Sequence, residues 1–189
     1  IMQQENLTLP ACFINIGGVC NLTWWDGQEI LAFDSGPGNG LIDIYMQKKL
    51  NLKYDYEGEK AFRGRVNKNV KYKFFKNNFF SLTPPKSLDR NEFIKTLEEQ
   101  TLESLSVNDA VATLSSLTIG SIIKGYKYFK LIPKITVVMG GGQHNKYIIS
   151  ELKKNLPGKI VTANEINLPG DFIEAELIAY LAARRLYNL

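Results

Sequence analysis

The sequence contains few of the residues that build metal sites and disulfide frameworks. Its 189 residues include two cysteines, Cys12 and Cys20, and one histidine, His144. Two cysteines without a CxxC spacing exclude a disulfide framework and a zinc or redox motif, and their apolar surroundings predict buried, reduced thiols. A lone histidine cannot build a three-ligand metal site, and it leaves a Ser/His/acid or Cys/His catalytic site with a single candidate base. No residue is therefore predicted as a metal ligand.

Long apolar runs and a leader sequence are also missing. No stretch approaches the roughly 18 consecutive apolar residues that a membrane helix needs, and the N-terminus has no basic region followed by an apolar run. We therefore expect a soluble, cytoplasmic protein without a membrane partner. A composition of 44% hydrophobic and 22% charged residues excludes a disordered or collagen-like chain. The length fits one large domain, or one domain with an excursion.

The positive charge is concentrated in one segment. The chain has 23 Lys and Arg against 19 Asp and Glu, but residues 46–86 hold 11 of the basic residues and three of the acidic ones. This segment is therefore +8 and the rest of the chain is −4. We interpret it as a solvated surface, because a phosphate-binding patch more often uses Arg, and we expect no nucleic-acid partner. The alternative is a nucleic-acid-binding patch that includes the aromatic residues between the lysines. We assign these aromatic residues to a core stripe instead, because they have helical spacing: Tyr72, Phe74, Phe75, Phe79 and Phe80.

Periodicity and turn residues predict an α/β fold of mixed α/β and α+β character. Three strands followed by a helix open the chain, and a long helix, which Ser106 or Asn108 would cap, lies near its middle. The segment 46–105 is more irregular and insertion-like, with short helices and loops. The predicted strands are 11–16, 21–25, 29–33, 135–139 and 159–163, and the predicted helices begin near Leu41 and span 108–129, 144–156 and 169–186.

Three glycine clusters each follow a predicted strand: NIGG at 15–18, DSGPGN at 34–39 and GGGQHN at 140–145. Glycine lets backbone N–H groups approach phosphate oxygens, and a following helix adds its positive N-terminus. One such cluster alone would indicate a tight turn. Three of them at strand ends, with carboxamides nearby, favour a nucleotide site, although neither the GxGxxG nor the Walker pattern is present.

Two sets of carboxylates are candidates for chemistry. Asp34 is predicted at a strand end before a glycine turn, where it can act as a general base or cap the turn. Glu174 and Glu176 lie in the first turns of the last helix, where they are equally explained as solvated acids. Spacing alone favours a catalytic role for Asp34.

Five motifs together resemble a known family. FINIGGVCNLT, AFDSGPGNGLID, PKSLDR, VVMGGGQHN and LPGDFIEAELIAYLA are similar, in order and through essentially the whole chain, to bacterial anhydro-N-acetylmuramic acid kinases. These belong to the superfamily of acetate and sugar kinases, heat-shock ATPases and actin. The resemblance implies a ribonuclease H-like, actin-like ATPase lobe with a mixed sheet and flanking helices. In that family two such lobes enclose ATP and a sugar, and residues 1–189 resemble the C-terminal lobe, with the N-terminal lobe absent.

The resemblance also implies residue roles. Gly17 and Gly18, with Asn15 and Asn21, correspond to a phosphate loop, and Asp34 corresponds to the catalytic aspartate that activates a water. Leu88 and Asp89 depart from the family pattern, where Thr and Gly are usual. The remaining assignments are an adenosine motif formed by Gly140, Gly141, Gly142 and Asn145, substrate contacts from Glu174, Gly36, Asn39 and Lys86, and a less definite role for Arg90.

The expected function is ATP- and Mg²⁺-dependent phosphorylation of 1,6-anhydro-N-acetylmuramic acid at O6, with hydrolytic opening of the anhydro ring, in peptidoglycan recycling. The start at Ile1 and the end within a helix lead us to expect a piece of a two-lobe enzyme, inactive without the N-terminal lobe. The resemblance makes a homodimer an expected assembly. The alternatives are a non-catalytic nucleotide- or partner-binding lobe from a relic or split gene, and a kinase of the same superfamily with another substrate.

Overall fold

The computed structural model describes residues 7–88, 93, 102–168, 170 and 173–186. Arg90 and Asp89 lie outside the described residues. The backbone of Glu174 and Glu176 belongs to the last helix, but their side chains are outside the described part of the chain. Within these ranges no helix is both long enough and apolar enough to cross a membrane.

The elements follow the predicted order of three strands, helices, and then alternating strands and helices. The strands are β1 (Ala11–Ile16), β2 (Val19–Trp25), β3 (Ile30–Pro37), β4 (Ile135–Met139) and β5 (Lys159–Thr162), and the α-helices are α1 (Gly40–Leu50), α2 (Glu59–Arg63), α3 (Lys68–Phe74), α4 (Val107–Tyr126), α5 (Lys146–Asn155) and α6 (Ile173–Leu186). Short 3-10 turns lie at Tyr56–Gly58, Asn78–Ser81, Leu102–Ser104, Gly141–His144 and Asn164–Ile166.

The strands form one mixed sheet in the order β3-β2-β1-β4-β5. The β1–β2 and β2–β3 pairs are antiparallel, whereas β4 and β5 extend the sheet in parallel from β1. Strand β1 is central and nearly all buried, which explains its continuous apolar sequence, whereas β2 alternates between buried and half-buried positions. Because the two edge strands are β3 and β5, Pro37 is accommodated as the last residue of an edge strand.

The two faces of the sheet bury different clusters. Alternate residues of β1, such as Ile14 and Ile16, join the larger cluster with Leu114 and Leu117 of α4. Their neighbours on the opposite face join a smaller cluster around Phe13 and Val137. Helix α4 is buried on most sides, and its first turn is capped by Ser106, whose hydroxyl accepts a hydrogen bond from the Asp109 N–H at 3.2 Å. The long predicted helix is therefore the main support of one sheet face.

The insertion-like segment packs into the same larger cluster. Phe74, Phe79 and Phe80 are buried there, while Tyr72 is 66% exposed. The prediction that these aromatic residues belong to the core is thus wrong for Tyr72. They also do not share one helix, because α3 ends at Phe74 and a separate 3-10 turn carries Phe79 and Phe80. The basic side chains are mostly exposed, as expected for a solvated surface: Lys48, Lys49, Lys53, Arg63, Arg65, Lys68, Lys73 and Lys76.

The largest difference from the predicted elements is at β3. We expect a strand that ends at Phe33, but β3 continues to Pro37, so Asp34 lies inside the strand and not at its end. A bulge makes this continuation possible. Asn21 pairs with Asp34 and Cys20 pairs with Gly36, which leaves Ser35 as the additional residue.

Candidate active site

Strand register aligns three polar side chains across the sheet. Asn15 of β1 pairs with Asn21 of β2, and Asn21 pairs with Asp34 of β3. Directly paired residues point to the same side of a sheet, with Cβ atoms about 4.5–5.5 Å apart. All three are half-buried, and they lie on the face opposite α4, since their neighbours Ile14, Leu22 and Phe33 belong to the cluster under α4. The structure therefore brings together residues of two glycine motifs in one polar row.

Asp34 is held in place by the segment that follows the Pro84–Pro85 turn. Its backbone N–H donates to the Lys86 carbonyl at 3.0 Å, and its carboxylate Oδ2 accepts a hydrogen bond from the Leu88 N–H at 2.8 Å. The Leu88 N–H therefore fixes the orientation of the Asp34 carboxylate through one of its two oxygens. The bulge at Ser35, which is buried with its hydroxyl donating to the Cys20 carbonyl, sets the direction of the strand next to it.

The side chain of Lys86 is directed to aromatic rings and a backbone carbonyl. Its Nζ donates to the Phe79 carbonyl at 3.0 Å and lies 4.3 Å from the centre of the Phe79 ring and 5.5 Å from that of Tyr128. Burial, together with a smaller effect of the Lys127 charge, lowers the pKa of Lys86. The geometry thus assigns to this lysine an anchoring contact for the segment that holds Asp34.

The second glycine cluster packs directly on the first. The N–H groups of Gly38 and Gly40 donate to the Gly18 carbonyl at 3.2 and 3.3 Å, and the Asn39 N–H donates to the Gly17 carbonyl at 2.7 Å. A Cβ on Gly38 would collide with the Gly17 carbonyl oxygen, and one on Gly40 would lie 2.7 Å from that of Gly18. Glycine is required at both positions because two backbones approach each other here, and Gly18 stays exposed at the hairpin tip.

The third glycine cluster lies against the end of β1. Gly140 has a φ of 72°, and a Cβ there would collide with the Asn15 carboxamide; a Cβ on Gly142 would collide with Ile16. Gly141 is exposed and faces the Asn39 carboxamide, whose Nδ2 would lie 3.7 Å from a Cβ on that glycine. The three clusters that are far apart in sequence therefore converge at one end of the sheet.

A cavity of about 660 Å³ opens beside this convergence. The start of α1 forms one wall, the turn after β4 forms a second, and residues 54–57 form a third. The lining residues are Asn39, Ile42, Asp43, Tyr54, Asp55, Tyr56, Glu57, Gly141, Gln143, His144, Asn145 and Lys146. Tyr54 and Tyr56 are 56% and 60% exposed, so this wall offers two aromatic side chains to a ligand.

The wall formed by residues 54–57 is attached firmly. The buried Asp55 carboxylate accepts hydrogen bonds from the Lys60 and Ala61 N–H groups at 2.9 and 3.1 Å, which ties the wall to the start of α2. Glu57 forms an ion pair with Lys146 at 2.6 Å, and this contact raises the pKa of Lys146. The next residue, Gly58, packs so closely on α5 that a Cβ would collide with the Asn145 carboxamide.

Two residues that are predicted to bind ligands, Asn145 and Gly36, also make contacts that support the fold. Asn145 caps α5, because its Oδ1 accepts a hydrogen bond from the Ile148 N–H at 3.1 Å, and it also lines the cavity. Gly36 is buried under α4, where a Cβ would lie 2.6 Å from the Cβ of Ser121. Thr118 of the same helix donates to the Gly38 carbonyl at 2.8 Å. Helix α4 therefore supports the glycine segment that precedes α1.

Sequence reasoning missed the aromatic and charged wall of the cavity. Tyr54, Tyr56 and Glu57 lie in an irregular polar segment with no strand, glycine cluster or helical period near them. Their position depends on the contacts of Asp55 and Gly58 with distant elements, and no local signal in the sequence predicts these. Among the described residues, no three His, Cys, Asp or Glu side chains are grouped closely enough to hold a metal ion.

Comparison with known proteins identifies close relatives for the whole chain. A protein of Phenylobacterium zucineum (strain HLK1) named anhydro-N-acetylmuramic acid kinase is 42% identical over 183 residues, which are 96% of this chain and 48% of that protein. A protein of Caulobacter vibrioides with the same name is 38% identical over 99% of this chain and 50% of its own length. The chain thus spans about half the length of the curated relatives it matches.

Solved structures share the fold at low sequence identity. The activator of the 2-hydroxyisocaproyl-CoA dehydratase from Clostridium difficile, solved with bound ADPNP, matches 88% of this chain and 57% of its own with a TM-score of 0.53 and 16% identity. Component A of the Acidaminococcus fermentans (R)-2-hydroxyglutaryl-CoA dehydratase matches 80% of this chain and 54% of its own with a TM-score of 0.50 and 18% identity. These likenesses confirm the predicted actin-like ATPase fold.

The family is decided by the sequence model of the anhydro-N-acetylmuramic acid kinases, which matches residues 1–189. This match confirms the resemblance that the glycine motifs indicate, and the chain therefore belongs to the anhydro-N-acetylmuramic acid kinase family.

Proposed function

We propose that the chain forms the nucleotide-binding and catalytic half of an ATP-dependent kinase that phosphorylates 1,6-anhydro-N-acetylmuramic acid at O6. The observation that carries this proposal is the convergence of three glycine segments beside Asp34 and a cavity of about 660 Å³, in a chain that matches the family over its full length. The product would be N-acetylmuramate 6-phosphate, an intermediate of peptidoglycan recycling. Two buried, free cysteines and the use of ATP agree with a cytoplasmic enzyme.

The cavity has the features that a nucleotide requires. Within the cavity, Tyr54 and Tyr56 offer aromatic faces on which a base can stack. Outside its lining, the exposed hairpin tip at Gly18 offers backbone to phosphate oxygens. The N–H groups of Gly38, Asn39 and Gly40 are occupied by carbonyls of the hairpin tip. The Gly17 N–H is likewise occupied, since it donates to the Val19 carbonyl at 3.2 Å. We therefore assign the phosphates to the tip at Gly18, and the nucleoside to the side of Gly140, Gly141, Gly142 and Asn145.

Asp34 would act as the general base of the reaction. Its carboxylate is half-buried, fixed at one oxygen by the Leu88 N–H, and aligned with the carboxamides of Asn15 and Asn21. In the proposed reaction Asp34 accepts a proton from the water whose oxygen bonds to C1 of the sugar. The C1–O6 bond breaks, O6 takes the γ-phosphoryl group of ATP, and ADP leaves. Hydrolysis of the anhydro bridge and phosphorylation are then one coupled event.

Mg²⁺ would be held mainly by the nucleotide itself. This ion usually keeps several waters and uses one or two carboxylates together with substrate phosphates, so a dedicated cluster of ligands is not needed. We propose that the ion binds through the phosphates that the tip at Gly18 positions. When bound, it would neutralise charge on the transferring phosphoryl group.

In this proposal, sugar binding depends more than nucleotide binding on residues outside this chain. Glu174, Gly36, Asn39 and Lys86 are the substrate residues that the resemblance implies, but Gly36 packs under α4 and the Lys86 Nζ binds the Phe79 carbonyl. Since relatives are about twice as long, we propose that a second lobe supplies further sugar and phosphate contacts and encloses the site. The isolated chain would then lack turnover, and a homodimer of the two-lobe protein remains part of the proposal.

The proposal is tested by mixing the chain with a separately produced N-terminal lobe and measuring ADP formation with the anhydro sugar. We expect Asp34→Asn to reduce turnover to background while nucleotide affinity, measured by calorimetry, is unchanged. Asp26→Asn is the matched control, because this carboxylate lies in the exposed turn between β2 and β3 and its backbone contacts can be kept by Asn. Undiminished turnover of Asp34→Asn would disprove the catalytic assignment.

A further inference from the structure

Asn39 carries a buried acceptor that no protein group uses. Its Oδ1 has no hydrogen-bond partner among the described residues, although the atom is shielded from solvent. A carbonyl oxygen in this state is unfavourable, because folding removes its hydrogen bonds to water without replacing them. Oxygens of this kind are rare in native proteins, and a ligand is one of the partners that completes them.

Helix capping does not explain the side chain. Asn39 precedes the first residue of α1, where asparagine usually accepts a hydrogen bond from a backbone N–H of the first turn. Here it has the helical angles φ −76° and ψ −14° and makes no side-chain cap. Its backbone is satisfied, since its N–H donates to Gly17 and its carbonyl accepts from the Asp43 N–H at 2.8 Å. The Oδ1 atom is therefore the unsatisfied group of this residue.

The location of this oxygen limits what can donate to it. Asn39 joins the phosphate end of the site to the cavity, because its N–H binds the Gly17 carbonyl and its carboxamide faces Gly141. Phosphate oxygens of a nucleotide are acceptors, so they cannot satisfy another acceptor. The donors of a nucleotide that lie nearest to its phosphates are the 2′- and 3′-hydroxyls of the ribose.

We propose that the Asn39 carboxamide rotates about its Cβ–Cγ bond, which brings the covered Oδ1 to the cavity that this residue lines, and that Oδ1 then accepts a hydrogen bond from a ribose hydroxyl of the bound nucleotide. The inference rests on the proposed function, and it assigns this residue to the nucleotide and not to the amino sugar. The ribose then lies between the hairpin tip, which faces the phosphates, and the wall of Tyr54 and Tyr56, which faces the base. Asn39 becomes a determinant of selectivity for ribonucleotides over deoxynucleotides.

The test compares ADP with 2′,3′-dideoxy-ADP by calorimetry on the 189-residue chain in the presence of Mg²⁺. We expect the chain to bind ADP about tenfold more tightly than the dideoxy compound, since one hydrogen bond is lost. Asn39→Leu removes the acceptor at similar volume, and we expect it to bind both compounds with equal affinity. Asn39→Asp keeps an acceptor oxygen, so the preference for ADP should remain even if added negative charge weakens both affinities.

The outcomes separate this inference from the proposed function. If the chain binds ADP and Asn39→Leu keeps the preference for ADP, the inference is wrong and the nucleotide site stands. If the unsubstituted chain binds both compounds equally, the inference is also wrong, and this comparison does not depend on whether any variant folds. If the chain binds neither compound, the nucleotide site proposed above fails, and the inference fails with it.

Discussion

At the residue scale, the site combines side chains whose positions are set by backbone contacts. Asp34 accepts from Leu88, and Lys86 holds the same segment through Phe79 and Tyr128. The lysine that the family resemblance places near the substrate therefore contacts Asp34 through the backbone. An ammonium group fixed on two rings restricts the segment that orients the carboxylate, and positioning of this kind lowers the cost of reaching a reactive geometry.

The aromatic wall leads to a prediction for nucleotide binding. Replacing both Tyr54 and Tyr56 by alanine should weaken ADP binding about tenfold or more, because stacking of a base on an aromatic ring contributes about 1–3 kcal/mol. Tyr72→Ala is the matched control, since Tyr72 is 66% exposed on α3 and does not line the cavity. Calorimetric titration with ADP measures the effect. Equal losses in the two variants would show that the base does not bind at this wall.

At the element scale, the junction between the hairpin tip and α1 depends on backbone packing. Helix α4 supports this junction from below, because Ser121 packs on Gly36 and Thr118 donates to Gly38. Three backbone hydrogen bonds then join residues 38–40 to residues 17 and 18. Backbone hydrogen bonds therefore join the hairpin tip to the start of α1, the helix that forms one wall of the cavity.

Substitution of glycine at this junction gives a prediction for stability. Gly38→Ala should lower the free energy of unfolding by about 1–3 kcal/mol, because the new methyl group would collide with the Gly17 carbonyl and force the two backbones apart. Gly17→Ala is the control, since its Cβ would lie 3.7 Å from the nearest atom, the Val19 carbonyl oxygen. Denaturant unfolding of both variants measures the difference. Similar stabilities would show that the junction has room for a side chain.

At the scale of the whole molecule, the irregular segment is part of the domain and not an appendage. Phe74, Phe79 and Phe80 contribute to the larger core, while residues 54–57 form a wall of the cavity. The basic side chains of the segment are mostly exposed, and none of them lines the cavity. The charge of the segment is therefore compatible with nucleotide binding at a separate position, and the basic composition alone does not locate the site.

The buried thiols lead to a prediction for pH dependence. Burial raises the pKa of Cys20 to about 12 and raises the pKa of Cys12 as well, whereas a thiol in the unfolded chain ionises near 8.5. The stabilisation from these neutral thiols is complete below about pH 8.5. It is lost as pH rises toward 12, because the unfolded chain releases protons that the folded chain retains.

Each thiol should lower the free energy of unfolding by about 1.4 kcal/mol per pH unit in this window. Denaturant unfolding between pH 8.5 and 10.5 measures the slope. Cys20→Ala should reduce the slope by the contribution of one thiol, whatever its effect on stability at pH 8. An unchanged slope in this variant would show that Cys20 ionises alike in the folded and unfolded chain.

The sequence by itself determined the features that depend on neighbouring residues. Glycines after strands predicted the turns at Gly17–Gly18 and Gly140–Gly142, apolar periodicity predicted the order of strands and helices, and five motifs indicated the family that the comparisons confirm. The observed boundaries of an element differ from the predicted ones where that element contacts another. Asp34 was predicted at a strand end, but the bulge at Ser35 lets β3 pair with β2 up to Pro37.

Only the tertiary structure decided which distant residues meet. The register of three strands places Asn15, Asn21 and Asp34 in one row, and the contacts of Asp55 and Gly58 place two tyrosines on the cavity. The unpartnered oxygen of Asn39 is also a property of its surroundings, because local sequence would predict an ordinary helix cap. Local periodicity predicts the secondary structure of each segment, whereas the polar row, the cavity wall and the unpartnered oxygen arise from packing between segments far apart in the chain.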